Sequence, residues 1–203
     1  MKILAITLEW SGCSVIIDDK IVYSASEERF TRIKSDSSFP KNSINEALKI
    51  LKLKGDEFDQ VVITGKKISL IASLINQWST FSVKDQIKEM EEYWYPNLVL
   101  GENREFLEVF KDKINLNQFP FDTELGKKFD VLKLQNPYTE QDGINVSNFY
   151  KEIISSFLGI EKEKIIHLEH HTCHAAYAFY ASPIREDNTL IVTADAWGDD
   201  LSA

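Results

Sequence analysis

The chain has 203 residues, 43% of them hydrophobic and 27% charged, which is enough for one sizeable core and ordinary for a soluble globular protein. Its net charge of −9 argues against a nucleic-acid scaffold, because phosphate would be repelled over most of the surface. Two cysteines, Cys13 and Cys173, are too few for a disulfide framework and read as reduced apolar residues. No run approaches the ~20 apolar residues of a membrane-spanning helix, so a cytoplasmic protein without membrane or nucleic-acid partners is expected.

In chain order, Ile3–Leu8, Cys13–Ile17 and Ile21–Ser26 are rich in β-formers and predict a three-stranded meander, with Asp18-Asp19-Lys20 as a tight turn. The first connection, Glu9-Trp10-Ser11-Gly12, is short and contains a glycine. Such a turn leaves backbone N–H groups free to face a ligand, which makes Ser11 and Gly12 candidate ligand contacts. After Phe39-Pro40, the spacing of Ile44, Ala47, Leu48 and Leu51 predicts a helix, with Gly55 where a C-cap would fall. Gln60–Thr64 reads as a fully buried strand closed by Gly65. This order is that of one actin-like half-domain, an order many α/β proteins share.

Residues 66–145 differ. Helices are expected over 67–78 and 82–94, the second opening on Ser82 with Asp85 three residues later. From Asn97 to Gly143 no clean period survives, and the stretch reads as an inserted subdomain of helices and loops that selects substrate. Regularity returns with a helix over 145–158, a strand Lys164–Leu168, a helix over 170–181 and a last strand, Thr189–Thr193. The expected parts are thus 1–65, 66–145 and 146–203. A strand and turn at the end, with no closing helix, read as a fold continuing beyond this chain.

All four histidines, His167, His170, His171 and His174, fall within eight residues. His170 and His174 are one helical turn apart, so their rings can close on one cation, and neutral imidazole suits iron, zinc, manganese or nickel. Two imidazoles alone hold a metal weakly, and Asp195, at the end of the next strand, is the natural third ligand. The motif is not H-E-x-x-H, since no glutamate stands between His170 and His174 to serve as base, which argues against a metalloprotease. In the turn after Asp195, Gly198 would let backbone approach a ligand and Asp199 add a cation-binding carboxylate; an ordinary acidic turn reads equally well. Residues 175–180, small and aromatic, are expected to pack in the core. The mixed-charge run from Ser26 to Lys34 is either a solvated face or, through Arg29, Arg32 and Lys34, a clamp for an anion.

Three segments resemble one family. Ser26-Glu27-Glu28-Arg29-Phe30-Thr31-Arg32-Ile33-Lys34 followed by Phe39-Pro40, the stretch His170-His171-Thr172-Cys173-His174-Ala175-Ala176 running to Ser182-Pro183, and Asp195 with Gly198 and Asp199 are similar to signatures of the O-carbamoyltransferases of nodulation-factor and antibiotic biosynthesis. The resemblance implies an actin-like N-terminal domain that transfers a carbamoyl group to a substrate hydroxyl. The donor would be carbamoyl adenylate, made from carbamoyl phosphate and ATP by a C-terminal domain. It implies a mononuclear divalent metal, iron first and zinc or manganese as alternatives, held by His170, His174 and Asp195. His171 would orient substrate or handle a proton, and Arg29, Arg32 and Lys34 would face the adenylate or substrate anion. The family's first turn carries a histidine, whereas this chain has Glu9, which would have to substitute. The expected acceptor is a sugar or natural-product hydroxyl, and a homo-oligomer is left open. The chain is expected not to turn over by itself, and the competing reading is a non-catalytic remnant that binds a nucleotide or a partner.

Overall fold

In a computed structural model, residues 1–66, 70–131, 139–184, 186 and 188–195 are described. Strands β1 (Lys2–Thr7), β2 (Gly12–Ile17) and β3 (Lys20–Ser26) form the antiparallel meander. Asp18 and Asp19 both hold positive φ, the left-handed backbone of a two-residue hairpin that short polar side chains tolerate. The register sets Leu4 opposite Val15 and Ile6 opposite Cys13, and because side chains alternate, these four share one sheet face. All four are buried. Gly12 is required here for close approach, since a Cβ would lie 2.7 Å from the Ala25 carbonyl oxygen of β3.

Strand β4 (Gln60–Thr64) lies parallel to β1, and β5 (Ile165–Leu168) lies parallel to β4, giving the sheet order β3-β2-β1-β4-β5. Val61 and Ile63 are buried whereas their neighbours are half-buried, so β4 alternates rather than being covered on both faces as its apolar run suggested. The topology brings the C-terminal ends of β1, β4 and β5, the end of β3 and the start of β2 to one sheet edge. The Glu9 turn, the run from Ser26 to Lys34 and the helix that carries His170 and His174 each follow one of those ends, whereas Asp195 lies on an irregular segment after that helix.

Helix α1 (Glu28–Thr31) is a single turn, and α2 (Lys41–Leu51) buries Ile44 and Ala47 against β2 and β3. Burial of a side chain such as Ile44 contributes roughly 1.5–3 kcal/mol. The helix ends at Lys52, which takes the left-handed cap conformation, and not at Gly55. Gly55 serves a different purpose: a Cβ there would lie 2.7 Å from the Leu158 Cα.

Within 66–145, α3 (Leu70–Ile75) and α4 (Gln77–Thr80) are separated at Asn76, which adopts left-handed backbone. Helix α5 (Val83–Glu89) opens on the Ser82/Asp85 capping box and continues through a π turn, Met90–Trp94, into α6 (Tyr95–Leu98). Short helices α7 (Phe106–Val109) and α8 (Glu124–Lys128) follow. Tyr93, Phe106 and Phe110 meet ring to ring at 4.9 and 5.1 Å and join the same buried cluster as the sheet. Helices of one turn cannot display a 3.6-residue period, which is why the sequence here looked patternless.

Helix α9 (Glu140–Leu158) starts five residues before the expected 145, on a Thr139/Asp142 capping box, and ends at Gly159 with φ 69°. Gly143 in its first turn had masked that start. Helix α10 (His170–Ala181) has the expected bounds. Two expectations fail nearby. Residues 189–195 make no strand, and Leu190 and Val192 are 86% and 77% exposed, because the segment adds no ladder to the edge of β5. The apolar side of α10 is not core either: none of its residues is buried, and Tyr177 and Tyr180 stand exposed. Apolar residues spread around this helix leave it no single face to bury. Gly198 and Asp199 lie outside the described residues. Among the described residues no helix is long and apolar enough to cross a membrane.

Candidate metal centre

Strand β5 delivers the chain to Glu169, whose extended backbone and carboxylate start α10. That carboxylate accepts the backbone N–H groups of His171 at 2.9 Å and Thr172 at 2.6 Å, and the Thr172 hydroxyl at 2.9 Å. These N–H bonds hold its carboxyl down at about 2. Two otherwise unsatisfied donors of the first turn are thereby capped, and the helix is fixed in the orientation that aims its histidines.

His170 and His174, one turn apart, present their Nε2 atoms 2.9 Å from each other. Asp195 Oδ2 lies 3.0 Å from each of them, although it is 25 and 21 positions away in the chain. The three atoms form a nearly equilateral triangle. Its edges match the ~3.0 Å edge of an octahedron with ~2.1 Å bonds, and they are shorter than the ~3.4 Å edge of a tetrahedral zinc site. Two imidazoles and one carboxylate on a single triangular face, with positions left open, suit a divalent cation such as iron(II) or manganese(II). The group is partly exposed, so a small ligand has access. The residues present fit a cation.

The other histidines differ in role. The His171 ring lies 5.3 Å from that of His170 and 6.2 Å from that of His174, beside the triangle and not in it. His167 Nδ1 lies 2.9 Å from the Gly65 carbonyl oxygen, and the Gly65 N–H donates to the Leu168 carbonyl at 2.7 Å. His167 therefore ties the end of β5 to the end of β4.

The structure places Glu9 exposed in the turn after β1. Ser11 is buried, and its groups bond to protein and not outward. Its N–H donates to the Asp36 carbonyl, its carbonyl accepts the Glu27 N–H, and its hydroxyl donates to Ser38 and Leu8 carbonyls. Gly12 belongs to β2. The expectation that this turn offers free N–H groups fails at Ser11 because the loop after α1 folds over it. Arg29 on α1 and Arg32 and Lys34 after it are exposed, with Arg29 3.8 Å from Glu28. Among the described residues no hydrogen bond or ion pair joins them to the triangle. They lie past the end of β3, four strands from β5, roughly 19 Å along the same edge.

Sequence reasoning missed Glu169, whose signal was an acid directly before an apolar helix with threonine three residues on. It also missed Asp36 and Asn76, two buried residues joined at 3.3 Å that fasten the loop carrying the arginines to the start of the insert.

The carbamoyltransferase N-terminus family model matches residues 2–202. An uncharacterized protein of Methanocaldococcus jannaschii is 28% identical over 189 residues, which cover 89% of this chain and 28% of that protein. The chain therefore spans little more than a quarter of the length of this relative.

Proposed function

The chain belongs to the carbamoyltransferase N-terminal family, and from that premise we propose that it carries the acceptor-carbamoylating site of an O-carbamoyltransferase, with His170, His174 and Asp195 holding a divalent metal. The observation that carries this reading is the convergence of three ligand atoms within 4.8 Å of one another, at a sheet edge where the other motifs also end. We read the sheet with α2 and α9 as one actin-like half-domain, 66–145 as its insert and 146–203 as the return to the core.

A bound cation, iron first and zinc or manganese as alternatives, supplies Lewis-acid polarisation of the carbamoyl carbonyl. The chain's own residues do the rest. Glu169 fixes α10 so that His170 and His174 keep one rigid face toward the reacting group. Glu9, at the same edge, accepts the proton of the acceptor hydroxyl, and His171 orients that hydroxyl or relays the proton. The hydroxyl oxygen bonds to the carbamoyl carbon as the bond from that carbon to the adenylate phosphate oxygen breaks, and AMP departs as an anion. Arg29, Arg32 and Lys34, farther along the edge, face the phosphate. Carbamoyl phosphate and ATP are consumed in making the adenylate, and the acceptor is a sugar or natural-product hydroxyl.

The test is metal content after anaerobic loading with iron(II), zinc or manganese, read by elemental analysis. The wild-type chain is expected to retain about one equivalent, and His170→Ala/His174→Ala none. Equal retention by that variant sinks the reading. A second reading, a non-catalytic module that binds a nucleotide or a partner, draws on the inward-turned Ser11. Calorimetry with AMP separates the two, since binding indifferent to metal and to the histidines favours the second.

A further inference from the structure

The helix running from Val83 through the π turn to Leu98 has two sides of opposite character. Its inner side is fastened to the insert. Asp85 pairs with Lys113 at 3.0 Å, Lys88 donates to the Val109 carbonyl at 2.6 Å, Glu89 accepts from Gln77 at 3.1 Å, and Tyr93 is buried. Its outer side is an apolar stripe. Val83, Ile87 and Met90 are 71%, 51% and 60% exposed, whereas beyond them Trp94 is turned toward the inner side, its indole N–H donating to Glu89 at 2.9 Å. The steps of four and three from Val83 to Met90 are the seam spacing of a two-helix coiled coil, in which such residues interlock with those of a facing helix. Contiguous apolar surface of this kind marks an interaction site on a soluble protein.

Lys84 and Glu91 flank the stripe on one side, seven residues apart, so they stand in line along the helix. Both are exposed, and among the described residues neither has an ion-pair partner. We propose that this face pairs with the same face of a second copy of the chain, the two helices antiparallel about a two-fold axis near Ile87 and Met90. In that arrangement Ile87 packs against the partner's Met90. The same rotation sets Lys84 beside the partner's Glu91, and Glu91 beside the partner's Lys84, giving two symmetric ion pairs. A parallel pair would hold like charge at like height and gain neither. The charge pattern therefore selects both the occupant and its direction.

This inference stands independently of the carbamoyl-transfer reading. Sedimentation equilibrium of the purified chain tests it, and the apparent mass is expected to rise with concentration from 23.3 kDa toward twice that value. Ile87→Asp/Met90→Asp should stay monomeric with an unchanged far-UV spectrum, since both positions point outward. Lys84→Glu and Glu91→Lys should each weaken the dimer about tenfold or more, and the two together should restore it. A wild-type chain monomeric throughout, a dimer indifferent to Ile87→Asp/Met90→Asp, or a double charge swap no tighter than the single ones overturns the proposal. The charge swaps keep the test decisive even where the aspartates disturb folding.

Discussion

Glu27 and Ser43, sixteen positions apart, are joined by a 2.8 Å hydrogen bond from the Ser43 backbone N–H to the Glu27 carboxylate. The other carboxylate oxygen accepts the Asn42 N–H at 3.0 Å and the Asn42 side-chain amide at 2.7 Å. The first acid of the Glu27-Glu28-Arg29 run is therefore a buried cap on the N-terminus of α2, where a negative charge meets unsatisfied donors and the positive end of the helix dipole.

Removing that cap should unfold the chain before it disturbs any ligand. Glu27→Ala strands the N–H groups of Asn42 and Ser43 in a buried site, at a cost of about 2–4 kcal/mol. Glu27→Gln keeps one acceptor and should cost less. Urea titration followed by circular dichroism reads both, and equal stability of all three proteins would refute the capping role.

Glu169 predicts an acid limit on α10. Its carboxyl is held at about 2, below its ordinary 4.5, by the His171 and Thr172 N–H groups. A depressed folded-state value means that the stabilisation is complete above about 4.5 and is lost as pH falls from there through about 2. Glu169→Gln should flatten that part of the stability profile. If helical signal and metal retention respond to pH identically in both proteins, Glu169 does not position the histidines.

The two cysteines should react at very different rates. Burial pushes the Cys13 thiol up to about 11. Its neutral form is favoured in the folded state, so its contribution to stability is present below about 9 and disappears as pH rises from there through about 11. Cys173, on the partly exposed α10, is accessible. A thiol reagent at neutral pH should label Cys173 promptly and Cys13 only on denaturation, and mass spectrometry of the labelled peptides decides it.

Gly55→Ala tests the junction of α9 with the end of α2. The new methyl would meet Leu158 backbone, which cannot rotate away, so a loss of about 1–3 kcal/mol is expected. That corresponds to a melting temperature several degrees lower. Gly143→Ala, where nothing lies within 4 Å, is the control and should leave stability unchanged or slightly raised.

Much of this protein could be read without coordinates, wherever the signal is local. The meander follows from β-formers bracketing Asp18 and Asp19, the start of α5 from Ser82 and Asp85, and the bounds of α10 from its composition. The His170–His174 pairing needs only the pitch of a helix. Local cues misled where partners lie far away in the chain. Gly55 looked like a cap but makes room for Leu158, and Ser11 looked open to a ligand but is closed over by Asp36 and Ser38. Residues 189–193 looked like a strand, but a strand forms only where a neighbour offers its backbone groups. Spacing along the chain sets which side chains share a face, but hydrogen bonding and packing between distant segments set what that face meets. That is why Asp195 at 3.0 Å from both imidazoles, Glu27 at the head of α2 and the outward stripe at Val83, Ile87 and Met90 were decided by the fold alone.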